Sequence, residues 1–266
     1  MFKQKQWTLL AVAALAFVVA CGGSSDTAPA DTPASSPKPS EAKPEPVEPS
    51  TQGETGTASI SGTVSFEGAV PRLRPLQMSA DPGCAKKHSE DVMPEFLVLG
   101  ENNTMANVLV YVKGGVSGGY PVPAEPVVLD QQGCRYAPHV VSAQTGQLFK
   151  ILNSDGLLHN VHGLPEKNQP FNKAMPAAVT ESEYTFDKEE IFKIKCDVHT
   201  WMGAWVGVFA HPFHAVTGTD GAFSLEGLPA GSYEIEAHHE RLGTLTAQVT
   251  VGDGEAGSSD FKFVKN

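Results

Sequence analysis

The stretch 191–210, IFKIKCDVHTWMGAWVGVFA, decides the fold. Its beginning alternates apolar and charged residues, and its end is rich in β-branched and aromatic residues, so it predicts two strands joined by a short loop. The loop carries a thiol at Cys196, an imidazole at His199 and a thioether at Met202. Because a short loop leaving a strand can curl, these three side chains can point at one spot.

Elsewhere in the folded part, short runs of β-branched and aromatic residues alternate with clusters of Gly, Pro, Asn and Asp, and helical periodicity is almost absent. This pattern is typical of an all-β protein and predicts two β-sandwiches. The predicted strands lie at 59–66, 96–99, 107–112, 126–129, 140–143, 148–153, 183–186, 191–196, 204–209, 222–226, 232–238 and 245–251. A short helix is expected somewhere in 81–95.

The sequence of the N-terminal region predicts that the protein is exported from the cytoplasm. Residues 1–20 place two lysines before an uncharged apolar run, which is too short for a membrane span and typical of a secretory signal peptide. The next residue, Cys21, follows Val-Val-Ala, a sequence that resembles the lipobox of bacterial lipoproteins and implies an acylated Cys21 as membrane anchor. Ordinary cleavage near Ala20 is the alternative. Residues 21–56 are rich in Pro, Ser, Ala and Glu and predict a disordered tether.

The net charge of the chain limits which classes of partner it can bind. The formal net charge is −11, so nucleic acid is not expected as a partner, whereas a basic protein is compatible with the charge. With the anchor, the expected location is the bacterial cell envelope, periplasmic or facing the outer membrane. Gly22 in place of aspartate after Cys21 resembles outer-membrane sorting.

A second imidazole completes a metal-binding set. His159 lies in SDGLLHNVHG, far enough upstream of Cys196 to come from the end of a neighbouring strand. Two imidazoles, a thiolate and a thioether suit copper in both oxidation states, while methionine is not a usual zinc ligand. The sequence therefore predicts one type 1 copper per chain.

The run 136–208 resembles a cupredoxin of the amicyanin and plastocyanin type. The resemblance rests on 146–163, a strand followed by the first histidine, and on CDVHTWM at 196–202, a ligand loop of the short, amicyanin-like length. It implies three in-plane ligands and one axial ligand, namely His159, Cys196 and His199 with Met202. It also implies that Asn160 ties the two ligand loops together. Many relatives carry a proline where Val198 stands, a departure that bears on loop stiffness and reduction potential.

A second resemblance concerns the two ends of the folded part. Residues 214–251, with turn signals at Asp220-Gly221 and at 227–231, resemble the carboxypeptidase regulatory-like, prealbumin-type β-sandwich. The strand that opens this module, ISGTVSFEG, stands far upstream at 60–68. The resemblance implies one sandwich built from 57–118 and 213–266, interrupted by a cupredoxin domain at 119–212. A simple tandem arrangement is the alternative.

Two further cysteines remain after Cys21 and Cys196. In an oxidising compartment, Cys84 and Cys134 are expected to form a disulfide. The alternative is a second soft metal site that adds His88 and His139, and the spacings allow both. No C-x-x-C-H motif occurs, so covalently attached haem is excluded.

The predicted function is electron transfer, with a redox partner such as a cytochrome or dehydrogenase docking near His199. Copper storage or delivery with the same ligands is one alternative, and recognition of an envelope component by the regulatory-like sandwich is another. Catalysis is not expected, because paired H-x-H motifs and a second loop cysteine are absent. His162 is interpreted as a non-ligand, and Trp201 and Trp205 as packing residues with a docking patch as the alternative.

Overall fold

The computed structural model describes residues 52–265. The predicted signal peptide and Cys21, together with nearly all of the tether, lie outside the described residues. The strands in chain order are β1 Ala58–Gly68, β2 Leu109–Gly114, β3 Val127–Gln131, β4 Tyr136–Ala137, β5 Val140–Gln144, β6 Phe149–Asn153, β7 His159–Gly163, β8 Phe171–Met175, β9 Glu181–Tyr184, β10 Glu190–Lys195, β11 Gly203–Phe209, β12 His214–Val216, β13 Ala222–Leu228, β14 Gly231–His239, β15 Gly243–Val251, β16 Ala256–Ser258 and β17 Phe261–Lys265. The helices are α1, Pro82–Ala85, and two 3-10 turns, Met78–Ala80 and Glu101–Asn103.

Two sheets built from the N- and C-terminal strands enclose the first core. In one, β1 pairs antiparallel with β13 along one edge and parallel with β16 and β17 along the other. In the second, the order is β12-β2-β14-β15. Alternate residues of β1, such as Ile60 and Val64, are buried against Val110, Phe213 and Ile235, as expected for strands with one face on a core.

Two further sheets enclose the second core and position the candidate site. Their orders are β4-β3-β6-β9 and β5-β11-β10-β7-β8. The second core contains Leu129, Phe149, Val161, Ile194 and Val206, all fully or nearly fully buried. Strands β10 and β11 form an antiparallel pair, so the stretch between them must turn back within a few residues.

A small apolar cluster joins the two sandwiches. Leu109 and Tyr111 of β2 pack with Val140 of β5 and Phe209 of β11. The rings of Tyr111 and Phe209 have centroids 4.5 Å apart, a separation typical of packed aromatic pairs. This junction fixes β11, the strand that follows the ligand loop, against the first sandwich.

The predicted all-β fold is confirmed. The predicted strand at 96–99 is wrong, because Leu99 makes only an isolated bridge to Met105 between Pro94 and a 3-10 turn. The expected short helix is α1, where the carboxylate of Asp81 accepts the backbone N–H of Gly83 at 2.7 Å. Within residues 52–265, no helix has the length and apolar character needed to cross a membrane.

The domain boundaries stay a prediction. The first core draws its buried residues from both ends of the folded part, and the second draws most of them from the middle. Met78 and Cys84, which fall in the predicted 57–118 segment, pack in the second core. Tyr120, which falls in the predicted 119–212 insertion, packs in the first. Each segment thus contributes residues to the other core, Tyr120 next to the predicted boundary and Met78 and Cys84 well before it.

Acid is expected to destabilise the first sandwich through His239. Burial lowers the pKa of this imidazole from 6.5 to about 4, and its Nδ1 accepts the backbone N–H groups of Arg241 and Leu242 at 3.2 Å each. The unfolded chain therefore takes up a proton below pH 6.5 that the folded chain resists until pH 4. Stability is lost as pH falls through this window, and His239 accounts for roughly 3 kcal/mol of that loss.

Urea denaturation of the wild type and of His239→Asn between pH 4 and pH 7 checks this prediction. The side-chain oxygen of asparagine stands where Nδ1 stands and can still accept the two N–H groups, but it does not titrate, so the variant should show a flatter pH dependence. Equal slopes in the two proteins would contradict it.

Candidate metal centre

Two elements bring the predicted in-plane ligands together. His159 is the first residue of β7, and Cys196 directly follows β10. Antiparallel pairing of β7 with β10 sets His162 opposite Lys195, so the start of β7 lies beside the loop that holds His199. The predicted ligands from two distant parts of the sequence thus meet at one end of a sheet.

The three ligand atoms form a compact buried cluster. The Nδ1 atoms of His159 and His199 lie 3.0 Å apart, and the Sγ of Cys196 lies 4.0 Å from Nδ1 of His199. One ligand atom from each residue falls within 4.8 Å of the others. All three residues are nearly inaccessible, with His159 fully buried. Two imidazole nitrogens and one sulfur around a common point suit a soft or borderline transition metal.

Backbone hydrogen bonds close the ligand loop and place Met202 within it. The N–H of Met202 donates to the carbonyl of His199 at 2.9 Å, and the N–H of Cys196 donates to the carbonyl of Met202 at 3.2 Å. The N–H of His199 points at the Sγ of Cys196 at 3.4 Å. The side chain of Met202 is buried in the second core.

Each histidine is oriented by a carboxylate. Nε2 of His159 lies 2.8 Å from Asp155, and Nε2 of His199 lies 3.0 Å from Asp81. Since these bonds use Nε2, both Nδ1 atoms are left facing the centre. Carboxylates in this position fix the ring and raise ligand basicity. Neither carboxylate was predicted from the sequence. Asp155 stands four residues before His159, which is a usable signal, but nothing in the sequence near Asp81 points to His199.

Asp155 is the centre of a larger network. Its buried carboxylate also accepts the backbone N–H groups of Gly133 at 2.8 Å and Cys134 at 2.7 Å, and it pairs with Lys87 at 3.0 Å. Gly133 and Cys134 both have positive φ, 63° and 51°, which turns their successive N–H groups toward one anion. The carboxylate therefore connects two separate chain segments to His159.

The ionisation of the cluster reflects burial and close contact. Burial disfavours protonated His159, but the hydrogen bond to Asp155 and the neighbouring Cys196 outweigh it and raise the pKa of His159 to about 9. Burial works to raise the pKa of Cys196, but hydrogen bonds from His159 and the backbone N–H of His199 hold that pKa below its ordinary value. The thiolate, which is the form that binds metals, is thus favoured here.

Asn160 links the two ligand segments. Its side-chain oxygen accepts the backbone N–H of Asp197 at 3.0 Å, and its carbonyl accepts the hydroxyl of Tyr136 at 2.6 Å. These contacts connect β7 to the residue after Cys196. His162, on the same strand, pairs with Asp197 at 2.9 Å and lies outside the cluster.

Cys84 and Cys134 form a disulfide in the structure. Their sulfurs are bonded to each other and are not free thiolates. A ring nitrogen of His88 hydrogen-bonds to the carbonyl of Gly133 at 2.7 Å. A ring nitrogen of His139 hydrogen-bonds to the carbonyl of Gly203 at 3.0 Å. Within residues 52–265, neither histidine belongs to a group of side chains spaced to hold a metal, so the geometry does not support the alternative second site.

The disulfide also covers the outer edge of His199. The Sγ of Cys84 lies 3.5 Å from Nε2 of His199, and Asp81 lies against the same nitrogen. The His199 side chain is only 3 % exposed. The segment containing α1 therefore covers the edge of His199 at which a partner was predicted to dock. We call this segment the cap.

Removing the disulfide is expected to cost about 4 kcal/mol of unfolding free energy, because a bridge of this span constrains the unfolded chain. The two cysteines are separated by 50 residues. Urea unfolding of the Cys84→Ser, Cys134→Ser double variant under oxidising conditions measures the change. Ser79→Ala, at an exposed position of the same segment, serves as control and should stay close to the wild type. A double variant as stable as the wild type would show that other contacts hold the cap.

Comparisons with known proteins give weak matches. No family model and no curated protein matches the chain. Among solved structures, a copper-containing nitrite reductase from Thermus scotoductus SA-01 is 18% identical, with 37% of this chain and 25% of that chain covered and a TM-score of 0.31. An amicyanin variant in the Cu(I) form is 19% identical, with 33% and 85% covered and a TM-score of 0.29. A purple cupredoxin from Nitrosopumilus maritimus is 19% identical, with 31% and 98% covered and a TM-score of 0.27.

This chain spans only a quarter of the length of the nitrite reductase that it matches. The pair of sheets around the second core forms a β-sandwich.

Proposed function

We propose that this protein is a type 1 copper protein that transfers electrons and is lipid-anchored outside the cytoplasm through Cys21. The observation that carries the proposal is the buried cluster of His159, Cys196 and His199, whose nitrogen and sulfur ligand atoms face one another. Met202, in the same loop, is proposed as the axial ligand. One copper per chain is proposed.

The residues present fit copper chemically. Thiolate and thioether favour the cuprous ion, and imidazole accommodates either oxidation state, so a bound copper ion can exchange one electron with little change in its ligands. The carboxylates of Asp155 and Asp81 hold the two rings, and the backbone bonds hold Cys196 and Met202. A rigid, dry site of this kind suits electron transfer, and we propose no catalytic step for it.

Spectroscopy of the full-length protein tests the proposal. One equivalent of cupric ion should give an intense blue or green thiolate-to-copper absorption band, and its one-electron reduction should be reversible. The matched control is His162→Ala, which removes a histidine three residues from His159 that makes no contact within the cluster. This variant should keep the band, whereas His199→Ala should lose it.

Absence of the band in folded, oxidised protein would refute a type 1 site. Tight cuprous binding without reversible oxidation would favour copper storage or delivery over electron transfer. Membrane attachment is tested separately, by asking whether Cys21→Ser releases the protein into the soluble fraction of the cell envelope.

A further inference from the structure

One groove collects the arginines of the chain. The sequence contains four, Arg72, Arg74, Arg135 and Arg241, and all of them line a single groove of about 600 Å³. Lys193 also lines it. These five basic residues come from four separate segments of the chain. The chain has a net charge of −11, so the groove is locally positive on a negatively charged molecule.

The acidic residues of the groove are already paired. Glu95 lies 3.5 Å from Arg135. Glu240 binds His139 at 2.6 Å and the indole N–H of Trp205 at 2.9 Å. Within residues 52–265, by contrast, Arg72, Arg74 and Lys193 form no salt bridge, and all three are exposed. Their charges are available to a ligand.

Arg241 and Arg135 are held in place within the groove. The Arg241 guanidinium lies 3.7 Å from the centre of the Phe96 ring, a cation–π contact that leaves its N–H groups free to donate. The buried Nε of Arg135 has no acceptor among the described residues. A guanidinium offers a planar set of donors that matches a carboxylate in two parallel hydrogen bonds.

The groove reaches the candidate metal centre. Met202 and Trp201 both line it. The Trp201 ring lies 5.1 Å from the His199 ring, and its N–H is fixed by a 3.0 Å bond to the carbonyl of Cys134. Since the cap containing Cys84 covers the outer edge of His199, the partly exposed indole of Trp201 offers a route from the groove to that residue.

We propose that this groove docks the carboxylate-rich surface of an electron-exchange partner protein, with Arg72 and Arg74 as the main contacts and Trp201 facing the partner. The inference rests on the proposed function, because it concerns the partner of that same site. The overall negative charge of the chain is compatible with a basic partner, but the face nearest the metal ligands selects an acidic one.

The first experiment measures binding without copper. Fluorescently labelled poly-L-glutamate is titrated into metal-free full-length protein at low salt, with anisotropy as the readout. Arg72→Glu, Arg74→Glu should weaken binding about tenfold or more, and added salt should weaken wild-type binding. The control with the same change in net charge is Lys188→Glu, Lys262→Glu, two exposed positions outside the groove, which should change binding by less than about twofold.

The second experiment follows electron exchange with the copper-loaded protein. Each cuprous centre gives one electron to hexacyanoferrate(III), an anion, or to tris(phenanthroline)cobalt(III), a cation. The arginine variant should react about tenfold more slowly with the anion, and the decrease should exceed that of the lysine control. Poly-L-glutamate should inhibit the reaction of the wild type with the anion and leave that of the arginine variant unchanged.

Three outcomes would overturn the proposal. Equal effects of the arginine and lysine variants would mean that only net charge matters. If poly-L-glutamate does not bind the wild type, a carboxylate-rich partner surface is excluded. Binding that emerges only after Asp26, Asp31, Glu41, Glu45 and Glu48 are replaced by serine would show that the tether is the occupant. If no variant exchanges electrons while poly-L-glutamate still binds the groove, the proposed electron-transfer function is refuted. The binding experiment then still tests whether the groove binds carboxylates.

Discussion

Cys196→Ala is expected to abolish the thiolate-to-copper absorption band completely. The Sγ of Cys196 is the only free thiol within residues 52–265, since Cys84 and Cys134 are joined in a disulfide. Without that sulfur, no ligand remains from which this charge transfer can originate. Copper affinity should fall as well, because two imidazoles and a thioether are left to bind it.

The variant should nevertheless fold. Replacing the small buried thiol with a hydrogen atom leaves a small cavity, at a cost of about 1 kcal/mol. A urea unfolding curve near that of the wild type, together with a colourless copper titration, is therefore the expected pair of results. A retained intense band in Cys196→Ala would contradict the assignment of this residue.

Met202→Leu tests the proposed axial ligand separately from the three proposed in-plane ligands. The side chains have similar volume, so the change should cost less than about 1.5 kcal/mol. We expect the band to persist but shift, and the reduction potential to change, because the axial ligand tunes both. A spectrum and potential identical to those of the wild type would show that Met202 serves only as packing in the second core.

The local part of the site could be predicted from sequence because its spacing is set within one loop. Cys196, His199 and Met202 stand between two strands with clear alternation, and the structure places all three in the tight turn between β10 and β11. The strand β7 was not predicted, since HNVHG lacks an apolar alternation, although His159 was expected beside the loop. Strand β8 was missed for a similar reason, because much of it is exposed.

What sequence could not predict is the surroundings of the loop. Asp81 and Cys84 contact His199 although each lies more than a hundred residues away in the chain. The arginine groove likewise depends on which loops the two sandwiches bring together, and single residues such as Arg72 and Arg241 have no pattern around them. Tertiary contacts of this kind leave no periodic signal, so only the structure shows that the expected docking edge is covered.

Asp155→Asn is expected to weaken copper binding by about 10- to 100-fold, the usual effect of removing the carboxylate behind a metal-binding histidine. An amide at this position is uncharged and offers only one acceptor oxygen, while four donors converge on the wild-type carboxylate. His159 would lose the partner that fixes its ring and keeps Nδ1 directed at the centre. Lys87 would lose its counter-charge, and the loop at Gly133 would lose a backbone contact.

Stability should fall together with affinity, by roughly 3 kcal/mol, because a buried set of charged and backbone donors would be left without its acceptor. Competition against a chromophoric cuprous chelator measures the affinity, and urea unfolding measures the stability. Asp130→Asn is the matched control: Asp130 accepts the hydroxyl of Ser154 at 2.7 Å, next to Asp155, but does not touch a histidine. It should leave copper affinity within about twofold of the wild type, since it lacks the contact to a ligand ring.

The two readouts also distinguish between roles for Asp155. If the asparagine variant loses stability while its copper affinity and absorption band stay unchanged, the carboxylate has only a structural role. It then does no more than hold together the loops that contain Gly133 and Lys87. If affinity falls and the band shifts even where the protein remains folded, Asp155 positions His159 for the metal. The second result is expected, because the 2.8 Å bond between Asp155 and Nε2 is the contact that orients the fully buried imidazole.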